Sequence, residues 1–136
     1  MTRALLLKVS SVISFIFAAG HSLGGLQKWS PMGSNDVLTT MSSVHFRTYG
    51  VSRSYLDFFM GFGWSLSIGM LVQATILWQM AKLTTDYPAA VRPMIAVFVI
   101  ATIASMAVNW FFLFPVPVLF SLVLLCPLIA AYMVRR

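Results

Sequence analysis

Charge is what this sequence has least of. Only 9% of its 136 residues are charged, against 60% hydrophobic, and the mean hydropathy is +0.89. A soluble domain carries about 25% charged residues. So few charges cannot cover a water-facing surface, which excludes a soluble globular enzyme. Acids are scarcest, three in all: Asp36, Asp57 and Asp86. The nine lysines and arginines leave a net charge of +6, but they are scattered at segment ends and form no basic stripe, so nucleic-acid binding is excluded as well. The single cysteine, Cys126, rules out an intramolecular disulfide and any multi-cysteine zinc or iron–sulfur centre. Disorder is excluded by the abundance of apolar residues.

What remains is long hydrophobic runs. A membrane-spanning helix needs about 20 mostly apolar residues. Four runs qualify, at about 5–25, 55–81, 94–114 and 116–134. They are continuously apolar and do not alternate, which favours helices over a β-barrel. The expected fold is all-α: a polytopic four-helix membrane bundle, forming one transmembrane domain over 1–136. Phe114-Pro-Val-Pro117 makes a tight connection between the last two runs, and proline suits a helix start. Between the first two runs, Ser34-Asn35-Asp36 offers a helix cap. Val37, Met41 and Val44 follow on one helical face, so a short amphipathic helix is expected there, on the membrane surface or plugging the bundle.

With four spans both termini fall on one side, together with Arg3, Lys8, Lys82, Arg92, Arg135 and Arg136; Lys28, Arg47 and Arg53 fall on the other. This asymmetry places both termini in the cytoplasm of a bacterial inner membrane, with Leu26 to Ser54 outside. Arg3, Lys8 and Ala18-Ala19-Gly20 also fit a cleavable signal peptide. The length of the first run and the lack of a polar break before those small residues favour a retained helix.

Three motifs are readable. Gly20-His21-Ser22-Leu23-Gly24 matches the G-x-S-x-G elbow of α/β-hydrolases, but that motif needs a strand–turn–helix context that a short apolar chain cannot build. Gly24 and Gly25 are expected to end the first helix instead. Asp57, Gly61, Ser65, Gly69 and Gln73 recur every four residues. Ala101, Ser105 and Asn109 repeat the pattern, as do Ser10, Ser14 and Ala18. Small residues at that spacing suit close helix packing within the bundle, or else a homodimer face. Aromatics at the run ends, Trp29, Tyr55, Phe58, Trp110 and Tyr132, suit interfacial belts; Trp64 and Trp78 lie deeper, in packing or lining a pocket.

The polar residues cluster on the outer side. Counting from the helix ends puts His21, Asp57 and Asn109 at a similar outer depth, with His45 and Arg53 beside them. Ionisable groups in a membrane are costly and usually functional. The expected site has His21 and Asp57 as an acid–base pair, His45 or Arg53 on a ligand's polar end, and Asn109 as a hydrogen-bonding group. Singly, each has a structural reading: Asp57 capping its helix or pairing with Arg53, His21 satisfied in the interior. No metal is expected. Haem on His21 and His45 is the weaker cofactor reading, without a C-x-x-C-H motif, and the cofactor stays open.

Gly20-His21-x-x-Gly24-Gly25, Met41-x-x-x-His45-Phe46 and Tyr55-Leu-Asp57-Phe-Phe-x-Gly61-Phe-Gly63 together resemble a group of small bacterial four-helix integral membrane proteins with no assigned activity. The resemblance spans nearly the whole chain and implies the fold, not a reaction. Small multidrug transporters are similar in size only, and no helix core here holds the glutamate that couples them to protons. The expected function is binding, and acid–base processing, of a hydrophobic small molecule such as a lipid, isoprenoid or quinone. The alternative is a non-catalytic accessory subunit, whose partner is another membrane protein or a second copy.

Overall fold

The computed structural model describes residues 2–25 and 33–134. The order is α1 (Arg3–Gly25), α2 (Asp36–Ser43), β1 (His45–Thr48), β2 (Val51–Ser54), α3 (Tyr55–Leu83), α4 (Pro88–Phe112) and α5 (Pro115–Met133). α1, α3, α4 and α5 are each long and apolar enough to cross a membrane, and the chain is a multi-pass membrane protein. At about 1.5 Å per residue, α5 matches a hydrocarbon core about 30 Å thick, while α3 exceeds it by roughly 13 Å. The short helix expected between the first two spans is α2. Trp29, Lys28, Arg135 and Arg136 lie outside the described residues.

α4 begins six residues before the expected start. Pro88 sits in its first turn, where no intrahelical N–H partner is needed, and Pro93 is accommodated inside the helix. The sequence 88–93 therefore belongs to the helix and not to the connection.

The residues form two compact units. The first contains 2–17 and 71–134. Its core is Leu6, Leu7, Leu77, Met80, Ala81, Val91, Ile95, Leu124, Leu128 and Ala131. α4 and α5 pack as a hairpin, and the Phe17 and Phe120 rings stack at 4.4 Å. Polar contacts add to this. Ser11 Oγ donates to the Ala74 carbonyl (2.6 Å) and Gln73 Nε2 to Ser14 Oγ (3.2 Å). The Arg3 guanidinium donates to the Pro88 carbonyl at the start of α4 and to the Ala131 and Val134 carbonyls, left open at the end of α5. Large apolar side chains elsewhere face outward: Val97, Ile100 and Leu119 are more than half exposed. Such surface belongs against lipid.

The second unit contains 18–25 and 33–70. Asn35 caps α2 by accepting the Leu38 N–H. α2 buries none of its residues, which suits a helix lying on a surface better than a plug. β1 and β2 form an antiparallel hairpin with His45 opposite Ser54 and Phe46 opposite Arg53. Its turn is built on Tyr49 (φ 46°) and Gly50 (φ 80°). Two successive positive φ values match the right-handed twist of the flanking strands. Phe46 packs on Tyr55 and Phe58, and Phe58 meets Phe62 edge-on at 4.8 Å, tying the hairpin to the start of α3.

Candidate functional site

The hairpin runs into α3 without a linker, and the junction is a reciprocal cap. The Ser54 N–H donates to Asp57 Oδ2 (2.9 Å), and the Asp57 N–H donates to Ser54 Oγ (3.1 Å). This is the S-x-x-D form of the capping box, which satisfies two otherwise open donors. Arg53 and His45 lie close enough to act electrostatically on Asp57. Three of the five expected site residues, His45, Arg53 and Asp57, thus meet at this junction. All three are exposed. His45 Nδ1 lies 2.8 Å from the Ser43 carbonyl. A carbonyl only accepts, so Nδ1 carries the hydrogen and Nε2 is left open. Arg53 spends one N–H on the Ser52 carbonyl.

His21 lies elsewhere in the same unit. Its Nδ1 is 2.9 Å from Ser67 Oγ; Ser22 Oγ gives its one proton to the Ala18 carbonyl (2.8 Å) and lies 3.0 Å from Ser67 Oγ, from which it can accept. Ser67 is buried, His21 and Ser22 half-buried. Nε2 makes no hydrogen bond with a described residue. Ser67 lies ten residues beyond Asp57 on α3, about 15 Å of helix. The structure therefore does not join His21 to Asp57. The similar depth expected from helix ends fails because α1 and α3 are staggered: at the level of His21, α3 still has about three turns to its N-terminal end. The same stagger puts about 20 Å of α3 between His21 and His45, too far for two axial ligands of one iron.

Asn109 belongs to the first unit. Its Nδ2 approaches Ser121 Oγ at 3.4 Å, and it lines an open cleft of about 210 Å³ at the α4–α5 turn. Ser22 sits inside the continuous helix α1, with no strand before it, so the hydrolase elbow is absent. Among the described residues no three His, Cys, Asp or Glu side chains gather as a metal cluster.

Sequence reasoning missed Ser67, the partner of His21. The four-residue stripe turns about 40° around the helix at each step, so Asp57 and Gln73 lie on different faces. Gly61, Ser65 and Gly69 are exposed, with open space where a Cβ would stand on either glycine. The buried positions of α3 are instead Ser67, Ala74, Leu77, Met80 and Ala81. Ser67 lies seven residues, about two helical turns, before Ala74 and so on the same face, which is the signal that marks it. On α1 the stripe does pack: Ser10, Ser14 and Ala18 are all buried.

No protein-family model matches this chain, and neither a curated protein nor a solved structure matches it.

Proposed function

We propose that the protein binds a hydrophobic small molecule with one polar end, of the lipid, isoprenoid or quinone class, in the outer leaflet of a bacterial inner membrane. The observation that carries this is the His21–Ser67–Ser22 group. A half-buried imidazole inside membrane-spanning helices, held through one nitrogen by a serine, is left with the other nitrogen for a ligand. Polar side chains at such a position are costly unless used. His21 Nε2 donates to, or takes a proton from, the polar end of the ligand. Ser67, itself bonded to Ser22, fixes the ring and holds the other nitrogen. Asp57, Arg53 and His45 form a polar rim at the hairpin junction, where a polar headgroup would be met first. The orientation, with both termini cytoplasmic, is part of the same reading.

The test is direct. Purify the full chain in mild detergent, extract with organic solvent and search by mass spectrometry for a stoichiometric compound. Wild-type protein should carry one, and His21→Ala should retain at least about tenfold less, a loss on the order of 1.4 kcal/mol of binding. Equal retention by a folded His21→Ala protein would remove the imidazole from the site.

The exposed face of Gly61, Ser65 and Gly69 favours a second reading, an accessory subunit docked on a membrane partner through close backbone approach. A stable protein partner that co-purifies without any bound compound, and is lost in Gly61→Leu and Gly69→Leu, would favour it.

A further inference from the structure

The α4–α5 hairpin turns without any polar residue to hold the turn in water. From Pro93 to Val134 no residue is charged. The turn reads Trp110-Phe111-Phe112-Leu113-Phe114-Pro115-Val116, and Trp110, Phe111 and Phe112 are 70%, 77% and 81% exposed. At about 25 cal/mol per Å² of apolar surface, so much exposed aromatic area is unfavourable in an aqueous loop. The length of α5, about 28 Å, carries its first turn to the edge of a core about 30 Å thick. The turn belongs at the boundary between acyl chains and headgroups, where the ester carbonyls of glycerolipids lie.

The cleft sits there. It measures about 210 Å³ and is lined by Asn109, Trp110, Leu113, Phe114, Pro115 and Val118. A site for a whole drug-sized ligand measures about 300–1,000 Å³, so this one takes part of a molecule. Asn109 is its one side-chain amide. Ser121 Oγ already donates to the Pro117 carbonyl (2.9 Å), so it can only accept from Asn109, at a long 3.4 Å. Asn109 Oδ1 and its second N–H have no hydrogen-bond partner among the described residues.

We propose that this cleft binds the ester end of a diacyl glycerolipid from the leaflet that meets the α4–α5 turn. The first methylenes of one chain lie against Trp110, Phe114 and Val118, and the ester carbonyl accepts an N–H from Asn109. The site lies in the first unit and does not rest on the His21 reading.

The experiment uses the full chain in phosphatidylcholine vesicles doped with a phosphatidylcholine that carries a diazirine near the ester of one acyl chain. After irradiation, cross-links are mapped by mass spectrometry, with excess diester or diether phosphatidylcholine of the same chains as competitor. Label should concentrate on residues 110–118. Diester should displace it about fivefold better than diether, the net worth of one hydrogen bond. Asn109→Val should erase that difference and weaken the label by no more than about fivefold, without redistributing it. Val118→Trp should fill the cleft and remove most of the label, whereas Leu119→Trp, more than half exposed, should leave it unchanged. Uniform label along α4 and α5, displaced equally by both lipids, would mean bulk lipid contact only and would overturn the proposal. Circular-dichroism melting checks each variant's fold. If Val118→Trp does not fold, the diester–diether comparison in Asn109→Val decides alone.

Discussion

Ser54 and Asp57 show how one side chain can hold a helix start and offer a charge at once. The carboxylate accepts the Ser54 N–H, and an asparagine oxygen would do the same. Asp57→Asn should therefore leave the thermal melt unchanged. Ser54→Ala removes the hydroxyl that accepts the Asp57 N–H and should cost about 1 kcal/mol, read as a lower melting temperature in detergent. If Asp57→Asn destabilises as much as Ser54→Ala, the charge itself holds the helix. The roles of His21 and Asp57 separate in the same way. About 15 Å of α3 lies between their levels, and sites more than about 7–10 Å apart with no shared partner act additively. Ligand retention in the His21→Ala/Asp57→Asn double variant should equal the product of the single losses. A loss smaller than that product would show one ligand spanning both positions.

Among the elements, the hairpin between α2 and α3 depends most on a single residue. Gly50, at φ 80°, stands where an L side chain is strained. Gly50→Ala should cost roughly 1–2 kcal/mol and loosen β1–β2 pairing, seen as faster amide exchange at Phe46 and Thr48. Unchanged exchange would mean that the Phe46–Tyr55–Phe58 contacts hold the strands without the turn. The hairpin was not legible in the sequence beforehand. Each strand is four residues long and mostly polar, so its alternation is too short to stand out beside four long apolar runs. The helices were legible because bilayer thickness imposes one length on each. The α4 start was not, because Pro93 reads as a boundary yet fits inside the helix. The candidate site residues stood out one by one in the sequence as polar exceptions in an apolar chain. Their grouping was not, because the stagger of α1 against α3 is a tertiary quantity. That stagger sends His21 to Ser67 and leaves Asp57 with Ser54.

At the scale of the whole molecule, burial departs from that of a soluble protein: small polar residues such as Ser10, Ser14 and Ser67 are inside along with Leu7, Leu77, Met80 and Leu128, while many large apolar side chains face out. In lipid there is no hydrophobic force between helices, so close approach and interhelical hydrogen bonds hold them. The proposed orientation, read from the four spans and the basic residues, puts both termini in the cytoplasm and the hairpin, His45, Arg53 and Asp57 on the far side. Every statement about an outer-leaflet site rests on that orientation. The direct measurement is thiol accessibility in intact cells, in a Cys126→Ser background carrying either Asn35→Cys or Thr85→Cys. A membrane-impermeant maleimide, with the outer membrane permeabilised, should label the Asn35→Cys protein at once and the Thr85→Cys protein only after lysis. Labelling in the reverse order would turn the molecule over, place the His21 group in the inner leaflet and contradict the account.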